Sequence, residues 1–93
     1  AGALGMVVSP VTPDLARRFN IPDGSGIVVV TVDAQSEADK AGIEEGDLIL
    51  EINHKQVKTV EDYQQYIEDV KEGEVISLLI RRKAGLFAAN IRK

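Results

Sequence analysis

Residues 41–53 read AGIEEGDLILEIN and join a helix end, a tight turn and the most apolar alternating strand of the chain. Ser36 can cap the short helix that precedes them, because its side-chain oxygen can accept a hydrogen bond from the first helical turn. Gly42 is the natural left-handed end of that helix. A turn at Gly46 then starts a strand, and alternation predicts three residues on one of its faces: Leu48, Leu50 and Ile52.

The chain before this stretch predicts two strands and one helix. Residues 4–9 are mostly apolar and favour a strand, in which Gly5 indicates a bulge or a close approach of other backbone. Thr12 can cap a helix, and the proline after it suits the first helical position. This helix is predicted to end near Phe19. Residues 27–32 are apolar on both faces, which predicts a central strand covered on both sides.

The chain after this stretch predicts a second long helix and a terminal hairpin. Thr59 can cap a helix that continues to residue 70 or 71. An alternating strand at residues 74–81 turns at 83–85 and returns as an antiparallel partner at 86–91. These elements together predict an α+β fold, a small curled antiparallel sheet of five to six strands capped by two helices.

The composition is that of an ordinary globular domain. Of the 93 residues 44% are hydrophobic and only four are aromatic, so residues 1–93 are predicted to form one domain with an aliphatic core. No apolar run approaches the roughly 20 residues of a membrane span. The opening AGALGM lacks the regions of a signal peptide, so we expect a processed chain or a segment of a longer one. The absence of cysteine excludes disulfides and thiol chemistry.

The charge of the chain argues against a nucleic-acid partner. The formal net charge is −4, whereas binding to phosphates needs a surplus of lysine and arginine on some face. The chain does end in a basic cluster, which we predict to be solvated charges on the terminal hairpin: Arg81, Arg82, Lys83, Arg92 and Lys93.

No set of residues predicts catalysis or metal binding. The loop at residues 23–26, DGSG, has the wrong order for the glycine-flanked serine of a serine protease. A catalytic Ser25 would need a base and an orienting acid in contact with it, and the only histidine, His54, falls in a polar turn. A single histidine without cysteines also makes a poor metal site. We therefore predict no catalytic residue, no metal and no cofactor.

Two features indicate a binding groove. Residues 4–6 place a glycine between apolar residues, where consecutive backbone N–H groups can form a nest for a carboxylate. The helix that begins at Thr59 carries two stripes: Tyr63, Tyr66 and Val70, and Val60, Gln64 and Ile67. A strand edge beside such a helix can accept an extended peptide by β-strand addition. From the residues alone, a simple bulge at Gly5 is an equally good interpretation.

The motifs of the chain resemble those of PDZ domains, in particular the circularly permuted bacterial kind attached to HtrA/Do-type serine proteases. Residues 4–6, LGM, are similar to the apolar-Gly-apolar carboxylate-binding loop of that family. The longest family signature is similar to SEADKAGI at residues 36–43 followed by GDLILEIN at 46–53. The helix at 59–70 and the strand at 79–82 also fit, so the resemblance covers nearly the whole chain.

The resemblance implies a peptide-binding site of eight residues: Leu4, Gly5, Met6, Val7, Val8, Val60, Gln64 and Ile67. The backbone amides of residues 4–6 would hold a terminal carboxylate, and Met6, Val8 and Ile67 would form the pocket for the last side chain. The two earlier helix residues would meet peptide residues further back. Since Gln64 is neutral, no strong charge preference is expected there.

The resemblance also implies the partners and the place of the protein. The domain would bind protein C-termini or unfolded hydrophobic peptides, and would adjoin a protease domain and a neighbouring PDZ domain in a periplasmic parent serine endopeptidase, with no catalytic group of its own. Residues 86–89 and Thr12 are most similar to the second, C-terminal PDZ domain. The alternative is a structural PDZ domain for oligomer assembly, for which we expect Gly5→Val to leave the isolated domain folded.

Overall fold

The computed structural model describes residues 3–21, 26–82 and 85–93. One antiparallel sheet of six strands has the order β1-β2-β3-β5-β6, and β4 pairs with β3. The strands are β1 (Met6–Pro10), β2 (Ile27–Val32), β3 (Leu48–Ile52), β4 (Lys55–Gln56), β5 (Val75–Arg82) and β6 (Gly85–Arg92). The prediction of an α+β fold with five to six antiparallel strands is confirmed. The predicted serine loop and the predicted turn at 83–85 fall largely outside the described residues.

In the described residues three α-helices accompany the sheet: α1 (Pro13–Phe19), α2 (Glu37–Lys40) and α3 (Val60–Glu68). Each begins at the predicted cap, and the cap hydroxyl of each accepts a backbone N–H three residues on: Thr12 from Leu15, Ser36 from Asp39 and Thr59 from Asp62. The third helix ends at Glu68, earlier than the apolar pattern predicts. In the described part of the chain, no helix has the length and apolar character to cross a membrane.

The core is aliphatic, as the composition predicts, and lies between one face of the sheet and helices α2 and α3. It is built from Met6, Ile27, Val29, Ala38, Ile43, Ile49, Ile52, Val57, Tyr63, Ile67, Val70, Ile76, Leu78, Ile80, Ala89 and Ile91. The first half of β2 is fully buried, which confirms the prediction of a strand covered on both faces there. Strand β1 contributes Met6 to this core, and α3 contributes Ile67, so both elements are held by the same apolar cluster.

The faces of β3 differ from the prediction. Leu50 is an extra residue in the pairing with β5, because Ile49 lies opposite Ile80 and Glu51 lies opposite Leu79. A bulge of this kind reverses the alternation of the strand. Ile49 and Ile52 therefore face the core, and the prediction that Leu48 and Leu50 share a face with Ile52 is wrong. Leu48 and Leu50 lie outside the core cluster and are among the residues that line a separate concavity.

The first predicted strand also needs correction. Leu4 and Gly5 are not in the strand but in a 3₁₀ turn, Ala3–Gly5, that precedes β1. The bulge lies elsewhere, because the β1–β2 register shifts between Val7 and Val8 and leaves Val30 of β2 as the extra residue. The interpretation of Gly5 as a bulge in an edge strand is therefore wrong.

Arg82 is not the solvated charge that the sequence predicts. Its guanidinium donates to both oxygens of the Asp47 carboxylate, at 2.6 and 2.8 Å, and also to the carbonyl of Gly42. A second carboxylate, Glu44, lies 3.2 Å away, and the ring centroid of Phe87 lies 3.8 Å from the guanidinium carbon. The side chain is 27% exposed and Asp47 is nearly fully buried. Arg82 thus ties the turn before β3 to the β5–β6 hairpin.

Candidate functional site

Strand β1 is the outermost strand of the sheet on one side, and α3 packs beside it. Only β2 pairs with β1, so the other side of β1 carries a row of backbone groups without a strand partner in the described residues. Helix α3 contacts β1. An open edge next to a helix is the geometry that β-strand addition requires.

The 3₁₀ turn before β1 holds two consecutive residues in the left-handed region. Leu4 has φ 64° and ψ 9°, and Gly5 has φ 82°. A leucine in this region costs about 1–2 kcal/mol, because its Cβ approaches the following carbonyl oxygen. Strain of this kind persists only where the surrounding structure enforces it, and it concentrates at ligand-binding segments. The turn is therefore a shaped segment rather than a relaxed chain end.

Gly5 is required because α2 lies directly against it. A Cβ added at Gly5 would lie 2.1 Å from the Cβ and 2.6 Å from the Oγ of Ser36, the residue that caps α2. This confirms one of the two interpretations of the glycine, the close approach of another segment. The contact also changes one expectation, because Gly5→Val would collide with Ser36 and adopt an unfavourable φ. That variant cannot separate peptide binding from assembly.

One hydrogen bond determines where the N–H of Met6 points. The N–H of Asp33, directly after β2, donates to the carbonyl of Gly5 at 2.7 Å. In a planar trans peptide the carbonyl and the following N–H point in opposite directions. Because the Gly5 carbonyl points towards β2, the N–H of Met6 points away from β2, to the open edge beside α3.

Five of the predicted apolar residues of the site belong to the core cluster or pack against it. Met6 is 2% and Ile67 is 4% exposed, and both belong to the core cluster. Leu4, Val8 and Val60 are half-buried and pack against the same cluster. We call the edge of β1 beside α3 the groove, and we expect these five residues to supply its apolar part.

The two remaining predicted residues are exposed. Gln64 lies on α3 between Val60 and Ile67 in sequence, and its side chain is open to solvent. Val7 is 39% exposed, because alternation along β1 turns it to the face opposite Met6. Val7 can therefore contribute backbone groups at the edge, whereas its side chain does not join the apolar cluster.

The stripes of α3 are arranged differently from the prediction. Its buried side chains are Tyr63 and Ile67, and Val70 just beyond the helix is buried with them. Ile67 therefore belongs to the core stripe rather than to a separate open one, and Tyr66 is only half-buried.

Two residues that shape the site were not found by sequence reasoning. The N–H of Asp33 donates to the carbonyl of Gly5, and the side chain of Ser36 packs against Gly5. Ser36 was recognised only as a helix cap. The only signal in the sequence is Gly5 itself, since a residue that must be small implies a close neighbour. Which residue is that neighbour depends on the pairing of β1 with β2.

The residues considered for other chemistry do not assemble into a site. His54 lies exposed in the turn between β3 and β4, with a left-handed φ of 67°. Ser25 lies outside the described residues. Within the part of the chain that the structure describes, no three His, Cys, Asp or Glu side chains lie close enough to hold a metal ion.

Comparison with known proteins relates this arrangement to a family. A family model described as "PDZ domain" matches residues 28–82, more than half of the chain. The chain belongs to the PDZ domain family. The matched region of this PDZ domain includes α2 and α3, whereas the 3₁₀ turn and β1 precede it.

The relatives of the PDZ domain are much longer proteins. It is 36% identical over 78 residues to a "Probable periplasmic serine endoprotease DegP-like" of Chlamydia trachomatis, an alignment that covers 83% of the chain and 16% of the relative. A protein of the same description from Rhizobium meliloti is 29% identical over 90 residues, which cover 97% of the chain and 18% of the relative. The chain thus spans about one sixth of the length of these relatives.

Solved structures of HtrA-type proteins share the fold. The HtrA-type protease AlgW with a decapeptide has a TM-score of 0.87 and 26% identity, over 98% of this chain and 28% of that one. The HtrA3 PDZ domain bound to the phage-derived ligand FGRWV has a TM-score of 0.78 and 25% identity, over 96% and 82%. The chain is therefore a PDZ domain of the HtrA kind.

Proposed function

We propose that this PDZ domain binds the C-terminal residues of peptides and unfolded proteins by adding them as a strand to β1. The observation that carries the proposal is the peptide plane between Gly5 and Met6. Its carbonyl is bound by Asp33, and its N–H faces the open edge beside α3. A donor in this position meets the carboxylate or the backbone of an added strand.

Each part of the ligand has a counterpart in the groove. The backbone amides of Leu4, Gly5 and Met6 receive the terminal carboxylate, and the last side chain lies between the β1 residues and Ile67. Residues further back meet Val60 and the exposed Gln64. The peptide ligand of the HtrA3 PDZ domain and the decapeptide present with AlgW support a peptide-binding role.

The affinity of such a site is modest. A strand of a few residues gains main-chain hydrogen bonds and one buried side chain, but it loses its conformational freedom on binding. We expect a Kd in the micromolar range, equivalent to about −8 kcal/mol. An affinity of this size suits the transient capture of many different chain ends.

An NMR titration with a matched pair of peptides tests the proposal. The pentapeptide FGRWV, the ligand of the HtrA3 relative, is added with a free C-terminal carboxylate and, separately, as the C-terminal amide. We expect the free acid to shift the amide signals of residues 4–8 and of α3. The amide should bind at least about tenfold more weakly, because an ionic hydrogen bond contributes about 1.5–3 kcal/mol.

The contrary outcomes are distinct. Equal shifts from both peptides would show strand addition without carboxylate recognition. If neither peptide shifts the signals of β1 or α3 at millimolar concentration, the groove does not bind chain ends and the assembly alternative is favoured.

The parent protein places this activity in context. We propose that residues 1–93 form a single PDZ domain of a periplasmic serine endopeptidase of the HtrA/Do type, and the names of its relatives support that parent. From the resemblance of its motifs we further propose that it is the second PDZ domain of that protein. The domain would recruit or regulate substrates for a protease domain elsewhere in that chain and would adjoin another PDZ domain. It would itself contribute recognition and no catalysis.

A further inference from the structure

We propose that Ser36 is a positioning residue for the carboxylate-binding turn, acting through Asp33 on the peptide between Gly5 and Met6. The proposal rests on the proposed function, because it concerns the same turn. Ser36 touches no part of the ligand in this arrangement. Its role is to fix the direction of an N–H group that does.

A short chain of hydrogen bonds connects Ser36 to the carbonyl of Gly5. The hydroxyl of Ser36 donates to the carbonyl of Asp33 at 2.8 Å and accepts the N–H of Asp39 at 3.2 Å. The N–H of Asp33 in turn donates to the carbonyl of Gly5 at 2.7 Å. The backbone of Asp33 is thus bound on one side by Ser36 and on the other by the turn.

Direct packing adds a second constraint. The side chain of Ser36 lies so close to Gly5 that no Cβ fits between them, and α2 as a whole packs against the 3₁₀ turn. Helix α2 is itself fixed in the core, because Ala38 is fully buried. The turn therefore rests on a rigid support, which explains how Leu4 is kept in its unfavourable conformation.

The support has a specific consequence for binding. Amide donors that already point to the position of a negative charge bind it without the free-energy cost of becoming ordered. If the Ser36 hydroxyl is removed, Asp33 and the Gly5 peptide gain freedom. The contribution of the ligand's carboxylate should then fall, whereas the strand pairing further along β1 should not.

Ser36→Ala tests this, because it keeps the Cβ that packs on Gly5 and removes only the hydroxyl. The readout is the ratio of the Kd values of the FGRWV amide and the FGRWV free acid, measured by NMR titration. We expect this ratio to fall about fivefold relative to the wild type, the size of one hydrogen bond. The affinity for the amide peptide should stay within about twofold.

Thr12→Ala is the matched control. Thr12 caps α1 in the same way as Ser36 caps α2, but it belongs to a helix away from the turn. We expect both variants to lower the melting temperature by a similar amount, and only Ser36→Ala to lower the ratio. Should Ser36→Ala fail to fold, Ser36→Gly removes the hydroxyl and the packing against Gly5 together, while glycine keeps most of the stability of the helix cap. The ratio should then fall at least as far, and an unchanged ratio would refute the positioning role.

The outcomes separate the two proposals. If the wild type prefers the free acid and Ser36→Ala keeps the full ratio, the proposed function stands and the positioning role is refuted. If Ser36→Ala weakens both peptides equally, Ser36 has only a structural role and the inference is wrong. A wild type that binds acid and amide equally would overturn carboxylate recognition and this inference together.

Discussion

The hydroxyl group of Tyr63 is buried in an aliphatic core, which is an unfavourable place for a polar group. The residue is 4% exposed, and its oxygen has no hydrogen-bond partner among the described residues. Burial raises the pKa of Tyr63 to about 12, because the phenolate would lose its hydration. A buried polar group without a partner costs about 1–3 kcal/mol.

We predict that Tyr63→Phe raises the free energy of unfolding by about 1 kcal/mol at neutral pH. At alkaline pH the difference in free energy of unfolding between Tyr63→Phe and the wild type should become larger. The ordinary pKa of tyrosine is about 10, so between pH 10 and 12 the unfolded state loses its proton while the folded state keeps it. The wild type then loses about 1.4 kcal/mol of stability per pH unit, a loss that is absent below pH 10. Urea denaturation at pH 7 and at pH 10–11 measures both effects.

Tyr66→Phe is the control for this prediction. Tyr66 lies three residues further along α3 and is only half-buried, so removing its hydroxyl should change stability by less than about 0.5 kcal/mol. A Tyr63→Phe variant that is less stable than the wild type would show that the Tyr63 hydroxyl does have a partner.

Among the elements, the β5–β6 hairpin and the turn before β3 depend on one ion pair. Asp47 is buried, and its carboxylate also accepts the N–H of Glu44 at 2.9 Å. The hydrogen bond from Arg82 to Asp47 raises the pKa of Arg82 above its ordinary value, so the guanidinium stays charged. Without the guanidinium, a buried carboxylate would remain without its counter-charge.

We predict that Arg82→Ala lowers the free energy of unfolding by about 2–4 kcal/mol, since it leaves Asp47 charged and buried. Arg81→Ala removes the exposed neighbour on the same strand and should cost less than about 0.5 kcal/mol. Denaturation in urea compares the two variants. A loss for Arg82→Ala as small as that for Arg81→Ala would show that the ion pair between Arg82 and Asp47 contributes little to stability.

The elements were predictable from the sequence where local chemistry determines them. The three helix starts follow from Thr12, Ser36 and Thr59, because a cap acts within its own first turn. The faces of β3 were not predictable, because the extra residue Leu50 is defined only by the pairing with β5. Local periodicity cannot reveal a bulge that a partner strand creates.

For the candidate site, the sequence supplies a list of residues through the family resemblance, and that list stays a prediction. Five of its apolar side chains belong to the core cluster or pack against it, whereas that of Val7 does not. The shape of the turn was missed, since the left-handed conformation of Leu4 depends on the contact between Gly5 and Ser36. Those two residues are far apart in sequence and meet only after β1 has paired with β2.

For the whole molecule, the important fact is that the groove and the core share residues. Met6 at the edge and Ile67 on the helix belong to the same cluster as the interior of the sheet. A ligand that contacts both of them is therefore coupled to global unfolding rather than to a local movement. A binding partner that favours the folded state raises its stability by mass action.

We predict that the FGRWV free acid, at a concentration one hundred times its Kd, raises the melting temperature by about 11–22 °C in a single transition. Binding at this excess contributes about 2.7 kcal/mol, and 1 kcal/mol shifts a domain of this size by about 4–8 °C. Differential scanning calorimetry measures the shift. A melting curve that splits into two transitions would show that the groove unfolds separately from the rest of the domain.

The register shift opposite Val7 and Val8 has a consequence for how copies of this domain behave towards each other. An unpaired strand edge is a template on which further copies can stack without end. Here the extra residue Val30 twists the strand that supports β1, and β1 ends at Pro10, which has no N–H to offer. The usable edge is therefore only a few residues long: enough for the tail of another protein, too short and too twisted to seed a fibril.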